Sequence, residues 1–408
     1  MWRNKASKPR AGDQARAVAP RVTESLDSDR SGKQSGAGDS HRNAYILIGL
    51  GGAVIAASGI AAIAGIAAPV FFAVVLTICV HPLRIALERR GVPRGIATGS
   101  VITAVFTMLL VFGYAVLIAI GQFAQLLPQF APQLRAFGAS IADWLNSIGI
   151  DSAAISDAAA GFDPTSIVDF VGGLLGGLTG SITALVIVLT MLMLMAMDAG
   201  FLPTMLRQLK PRRPLLVAAM LRYATGVRRY MVVTTLLGIA QGVINWFALM
   251  LLGVPGAFIW GLLAFLCSFI PNVGYFIAII PPIVFGGLVG GWPTIIAVIV
   301  VYGIVNAGVQ SVVQPRVVGN AVSLSQTITF FSVLFWAVIL GPMGAILAIP
   351  LTLLVRMLLV DSNPEAAWIR PLLGEVNDAK VVMAAEDDET KARRAALKAQ
   401  RHAVGGGA

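Results

Sequence analysis

Residues 231–290 read MVVTTLLGIA QGVINWFALM LLGVPGAFIW GLLAFLCSFI PNVGYFIAII PPIVFGGLVG, with no charged side chain among them. The run continues to Val355 with Arg316 as its one charged residue, and no Asp or Glu occurs between Asp198 and Asp361. A water-soluble domain of that length needs a charged surface to stay dissolved. This chain is built for lipid instead. The few polar residues inside the run are then expensive, which makes them the first candidates for function.

The whole chain agrees. Hydrophobic residues make up 57% of it and charged residues 12%. The apolar runs are continuous and exceed the roughly 20 residues that cross a bilayer core. Strands of a membrane barrel would alternate instead. The expectation is an all-α, polytopic helical membrane protein.

The net charge of +10 raises the question of nucleic acid, and its placement answers it. Lys and Arg gather in the N-terminal tail, in Arg84–Arg94, in Arg207–Arg229 and in the C-terminal tail. These flank apolar runs, where the positive-inside rule puts them. Anionic lipid headgroups suit such clusters, and no nucleic-acid partner is expected. Cys79 and Cys267 lie inside apolar runs and read as small buried hydrophobes. His41, His81 and His402 offer no metal-ligand spacing. No metal and no cofactor is expected.

Residues 1–43 are rich in Arg, Ser, Gly and Asp and read as a disordered basic tail. Residues 44–121 hold three spans: Ala44–Ala67, Pro69–Leu87 and Gly95–Gly121. Residues 122–180 carry one basic residue, Arg135, against five acids, Asp143, Asp151, Asp157, Asp163 and Asp169. That balance places them outside the cytoplasm. Leu127, Phe130, Leu134, Phe137, Ile141, Trp144 and Ile148 recur at helical spacing. They form either an amphipathic helix packed on the membrane surface or its own bundle, or a lid.

Residues 181–360 form the core. Ser181–Met197 returns inward to Asp198, the basic loop 201–229 is expected to be cytoplasmic, and Tyr230–Leu252 crosses again. Ala257–Val289 is interrupted at Ile270-Pro271-Asn272-Val273-Gly274 and at Pro281-Pro282. Trp292–Val313 is a further span. Ser325–Val360 is interrupted at Gly341-Pro342-Met343-Gly344 and at Pro350. Proline removes a backbone hydrogen bond, and broken backbone survives in lipid only inside protein or beside a water-filled cavity. Two broken segments in one half of a chain either mark a transport site or make simple kinks and hairpins. The count comes to about eight membrane segments, some broken or re-entrant. Residues 361–408 are a cytoplasmic tail, as is the N-terminus.

No sequence motif of an enzyme is present. The polar candidates are Asn272 at the Pro271–Gly274 break, and Asn306, Gln310 and Gln314, which share one helix face at a spacing of four. Arg316 either snorkels to headgroups or offers fixed donors to a polar solute. Gln241 and Asn245 form a second polar face, suited to bonds between helices. Asp198 is the one acid near a span that could couple an ion.

The sequence resembles the autoinducer-2 exporter family of bacterial membrane proteins. The residues that carry the resemblance are His81-Pro82 with Leu87-Glu88-Arg89-Arg90-Gly91, Leu252-Gly253-Val254-Pro255, Ile270-Pro271-Asn272-Val273-Gly274 with Pro281-Pro282, Gln314-Pro315-Arg316-Val317-Val318-Gly319, and Leu340-Gly341-Pro342-Met343-Gly344 with Ala348-Ile349-Pro350-Leu351. They cover Ala44 to Val360 in the family's order. Asn272 stands where the family usually has an aromatic residue, and Tyr275 where it has a second proline. The resemblance implies a transporter of the bacterial inner membrane, with export of a small polar molecule as the leading expectation. A sodium/proton antiporter using Asp198 and a non-transporting scaffold are the alternatives. The expected pathway is framed by Pro271, Asn272 and Gly274 and by Gly341 and Gly344, with Asn306, Gln310, Gln314 and Arg316 as polar contacts. Small-residue helices such as Gly49–Gly65 also suit a homo-oligomer.

Overall fold

Glycine and proline divide the apolar runs into helices, and a serine cap starts one of them. The computed structural model describes residues 35–148, 183–309, 324–373, 383–391 and 393. The helices are α1 (Ser35–Ala62), α2 (Ala64–Arg89), α3 (Arg94–Ser147), α4 (Thr183–Asp198), α5 (Leu202–Leu209), α6 (Pro214–Leu251), α7 (Ala257–Cys267), α8 (Gly274–Ala307), α9 (Gln326–Ile346) and α10 (Ala348–Arg356). No strand occurs among the described residues. The all-α class read from the sequence is what the chain adopts.

The chain divides into residues 1–58 and residues 59–408. In the first unit, α1 begins at Ser35, inside the segment expected to be a disordered tail. Its Leu47, Ile48, Leu50, Val54 and Ile55 are all exposed. In the second unit, large apolar side chains also face outward in numbers no aqueous surface carries, among them Leu236, Leu251, Trp292, Ile304 and Val338. By length and composition, five helices suit a membrane crossing among the described residues, or six if α4 and α5, bent by 62°, count as one. The expected eight is not reached on that measure.

Several boundaries differ from the sequence reading. The first break falls at Ile63 rather than Ala68–Pro69, and Pro69 is absorbed into the second turn of α2. Helix α3 runs unbroken for 54 residues, through the border expected at 121/122 and through Pro128 and Pro132. Phe123, Leu127 and Phe130 of its second half pack on the bundle rather than on a separate surface. Phe123 meets Trp260 and Phe130 meets Phe285, with ring centroids 5.9 and 5.7 Å apart. The expected loop 201–229 is α5, a turn, and the first four turns of α6. Pro281-Pro282 does not interrupt α8.

Two helices turn back on themselves, each at a glycine. In α8, Gly291 takes φ 61°, ψ −155°; in α9, Gly341 takes φ 67°, ψ −153°. Only glycine occupies this region without large strain. A Cβ on Gly286 would lie 3.5 Å from Val298, although twelve residues of straight helix span about 18 Å. Helix α8 is therefore a hairpin with arms 274–290 and 292–307. Likewise, a Cβ on Gly344 would overlap the Trp336 carbonyl oxygen. Trp336 Nε1 donates to Thr352 Oγ1 of α10 at 3.1 Å, which ties the two arms of that second hairpin.

Helix α7 and the first arm of α8 form a third hairpin. Val254, just before α7, would touch a Cβ on Gly286 at 3.4 Å, and Trp260 lies on Phe285 with centroids 5.2 Å apart. At the other end Gly274 presses against the last carbonyl of α7, that of Cys267. With 11 residues, α7 is about 16 Å long, half the thickness of a bilayer core. Its tip, residues 268–273, thus turns at mid-depth along α6.

Candidate functional site

The tip is held in a tense conformation. Val273 N–H donates to the Pro271 carbonyl at 2.8 Å, closing a three-residue turn around Asn272. Asn272 has φ 66°, the only positive φ at a non-glycine residue among those described. Such a turn with a positive central φ is rare and strained. Asparagine tolerates it better than most residues. Gly274 N–H donates to the Ile270 carbonyl at 2.9 Å and starts α8 with no room for a side chain. Strained backbone of this kind concentrates at functional sites.

Above the tip lies a cavity of about 330 Å³, at the lower end of the range for small-molecule sites. Ile270, Pro271, Asn272, Gly274 and Tyr275 form its floor. Tyr230, Thr234, Gln241 and Asn245 of α6 form one wall; Tyr302 and Asn306 of the second arm of α8 form another. Gln326 and Thr329 of α9, with Ile349 of α10, close a third side. Among the described residues, every side chain lining it is uncharged. It is rich in amides and hydroxyls, so it can exchange hydrogen bonds with a solute, and its described residues offer no counter-charge to an ion.

Helices α6 and α8 are brought together here by small residues. A Cβ on Gly242 would come within 2.8 Å of the Gly261 carbonyl of α7, so α6 and α7 touch backbone to backbone. The second arm of α8 then lies beside α6, and Gln241 Nε2 approaches Asn306 Oδ1 at 3.5 Å. That distance is at the long limit of a hydrogen bond.

The structure thus brings Pro271, Asn272, Gly274 and Asn306 to one cavity, together with Gln241 and Asn245. Gly341 and Gly344 make the reversal of the α9–α10 hairpin and do not line it. Asp198 is exposed at the end of α4, away from the cavity. Gln310, Gln314 and Arg316 lie outside the described residues, as do Asp151, Asp157, Asp163 and Asp169. Tyr302, Tyr230 and Thr329 are cavity residues that pattern reading missed. A tyrosine in an apolar run looks like core, and only its hydroxyl, four residues before Asn306, hints otherwise.

A second polar cluster was also missed. Five-residue spacing in the π-helical turn Met357–Asp361 brings Asp361 back beside Arg356. Asp361 pairs with Arg356 at 3.5 Å and with Arg370 at 3.6 Å. Arg356 is 7% exposed and Asp361 14%. The segment after it folds back, and Ser325, which caps α9 through its hydroxyl, donates its N–H to the Leu373 carbonyl at 3.0 Å. Elsewhere, Arg84 holds Glu88 at 2.9 Å and donates to the Ala196 carbonyl at the end of α4 at 3.1 Å, which explains the basic turn after the second run.

Comparison with known proteins points the same way. A family model described as AI-2E family transporter matches residues 45–361. The AI-2 transport protein TqsA of Escherichia coli K12 is 30% identical over 333 residues, which are 81% of this chain and 96% of the relative. The "Putative transport protein YhhT" of the same organism is 28% identical over 76% of this chain and 88% of its own length. A like-named protein of Haemophilus influenzae is 27% identical, covering 82% of this chain and 97% of its own.

Proposed function

The chain belongs to the AI-2E transporter family, a family of multi-pass membrane proteins, and from that premise we propose that it exports a small uncharged polar molecule of the autoinducer-2 kind. The cavity over the Pro271–Gly274 tip is the solute site in this reading. The observation that carries it is chemical: the described lining combines amides and hydroxyls with apolar side chains and has no charged side chain. A hydroxylated neutral solute can exchange hydrogen bonds there without a stranded charge. The relative named for AI-2 transport supports the choice of cargo.

In this reading the basic segments Arg89–Arg94 and Arg207–Arg213 mark the cytoplasmic ends of α2, α3, α5 and α6 in the inner membrane, and both termini lie inside. Anionic lipids are the partners of those segments. The antiporter alternative gains no support from the cavity, since its one carboxylate, Asp198, sits elsewhere.

Flux into proteoliposomes tests the proposal, following labelled autoinducer-2 and internal pH together, with and without a sodium gradient. The expected result is movement of the signal with no change in pH and no dependence on sodium. A sodium-driven pH change without movement of the signal would overturn it in favour of the antiporter.

A further inference from the structure

Helix α6 and the second arm of α8 run antiparallel, since Val254 beyond the end of α6 lies by the reversal at Gly286–Thr294. Gln241 meets Asn306 between them. One turn further along each helix, on the same faces, stand Asn245 and Tyr302. Both line the cavity. Asn245 is 0% exposed and Tyr302 2%. Neither amide atom of Asn245 has a hydrogen-bond partner, and the Tyr302 hydroxyl has none.

Buried polar groups are nearly always paired, because an unmade hydrogen bond in a dry interior is costly. Two such groups on facing helices, at the wall of one cavity, are hydrogen-bonding atoms that no protein group satisfies and that a solute can. The asparagine amide supplies two donors and an acceptor, and the phenol supplies one donor and acceptor lone pairs. A molecule carrying adjacent hydroxyl and carbonyl or hydroxyl groups satisfies them together. A carboxylate or an ammonium ion would be stripped of water beside them with no opposite charge among the described lining residues.

We propose that Asn245 and Tyr302 are the specificity-determining contacts of the solute site, binding a neutral hydroxylated molecule through a paired donor and acceptor and turning charged analogues away. The inference rests on the reading of the cavity as the solute site. Both residues act by touching the solute, and the Gln241–Asn306 contact beside them holds the two helices at the right separation.

The test uses Asn245→Leu and Tyr302→Phe, which keep size and remove hydrogen-bonding groups. The full-length protein is reconstituted, and flux is measured with labelled autoinducer-2 and, as a charged comparator of similar size, labelled ribonate. Thermal unfolding of the solute-free protein is measured in parallel. The expected result has three parts. Each variant unfolds at or above the wild-type temperature, because an unpaired buried group is gone. Each raises the half-saturation concentration for autoinducer-2 about tenfold, the loss of roughly one hydrogen bond. Wild-type protein excludes ribonate. A lowered unfolding temperature with unchanged half-saturation would show that the pair only joins helices; it would overturn the inference and leave the cavity reading intact. Equal flux of ribonate would overturn the neutral selection. Wild-type protein that carries neither probe would overturn the cavity reading, and the inference with it.

Discussion

Asp361 is the clearest case of one side chain holding two others. It stands between Arg356 and Arg370 at 3.5 and 3.6 Å. Removing its charge leaves a largely buried guanidinium without its nearest opposite charge, which in buried pairs costs about 3 kcal/mol. Asp361→Asn is expected to destabilise the protein by that order, read as earlier unfolding in detergent, while Asp361→Glu recovers part of it. The sequence pattern did not reveal this cluster, because Arg356 and Asp361 are five apart and share a face only where the helix is π-wound. Pro271, Asn272 and Gly274 were legible for the opposite reason. Proline and glycine in an apolar run announce a break by their own chemistry. Tyr302 was not, because its ring belongs in the core and only the hydroxyl is functional in kind.

At the scale of the element, the hairpins depend on two glycines with nearly the same torsions, Gly291 and Gly341. A Cβ on Gly341 finds open space and one on Gly291 meets only Pro293 Cδ, at an ordinary contact distance of 3.9 Å, so the obstacle is conformational alone. Gly291→Ala and Gly341→Ala are each expected to cost about 2 kcal/mol from backbone strain. Gly344→Ala adds a collision with the Trp336 carbonyl and is expected to be worse than Gly341→Ala. Ranking the three by thermal unfolding checks both statements. The reversal at Gly341 was read from Gly341-Pro342, whereas Pro281-Pro282 was misread as a break. Both are prolines in apolar sequence, and what separates them is the glycine with positive φ that a chain reversal needs. Pro350, in the first turn of α10, lacks only an N–H that would have no helical partner.

Across residues 59–408, the length of α3 sets the layout. From Arg94 to Ser140 the helix rises about 70 Å, more than twice the apolar core of a bilayer. Its two ends therefore cannot share a side of the membrane. In a variant with Cys79 and Cys267 replaced by Ala, Ser140→Cys is expected to react with a membrane-impermeant maleimide in intact cells, and Arg94→Cys to react only after lysis. The opposite pattern, Arg94→Cys reacting in intact cells and Ser140→Cys only after lysis, would reverse the assigned topology. The membrane class was legible at this scale because charge was missing over so long a run. The number of crossings was not, because a hairpin and a span share one hydrophobic signature. Telling them apart depends on contacts between residues eight or twelve apart, which composition does not encode.

The charge-free make-up of α7 and α8 has an electrical consequence. Moving one elementary charge across a membrane is worth about 2.3 kcal/mol per 100 mV. These helices hold the cavity floor and one wall, yet carry no Lys, Arg, Asp or Glu. A rearrangement confined to them would displace no formal charge through the field. Carrying a neutral cargo, such a step draws no current, and the resting voltage of the cell neither drives it nor holds it back.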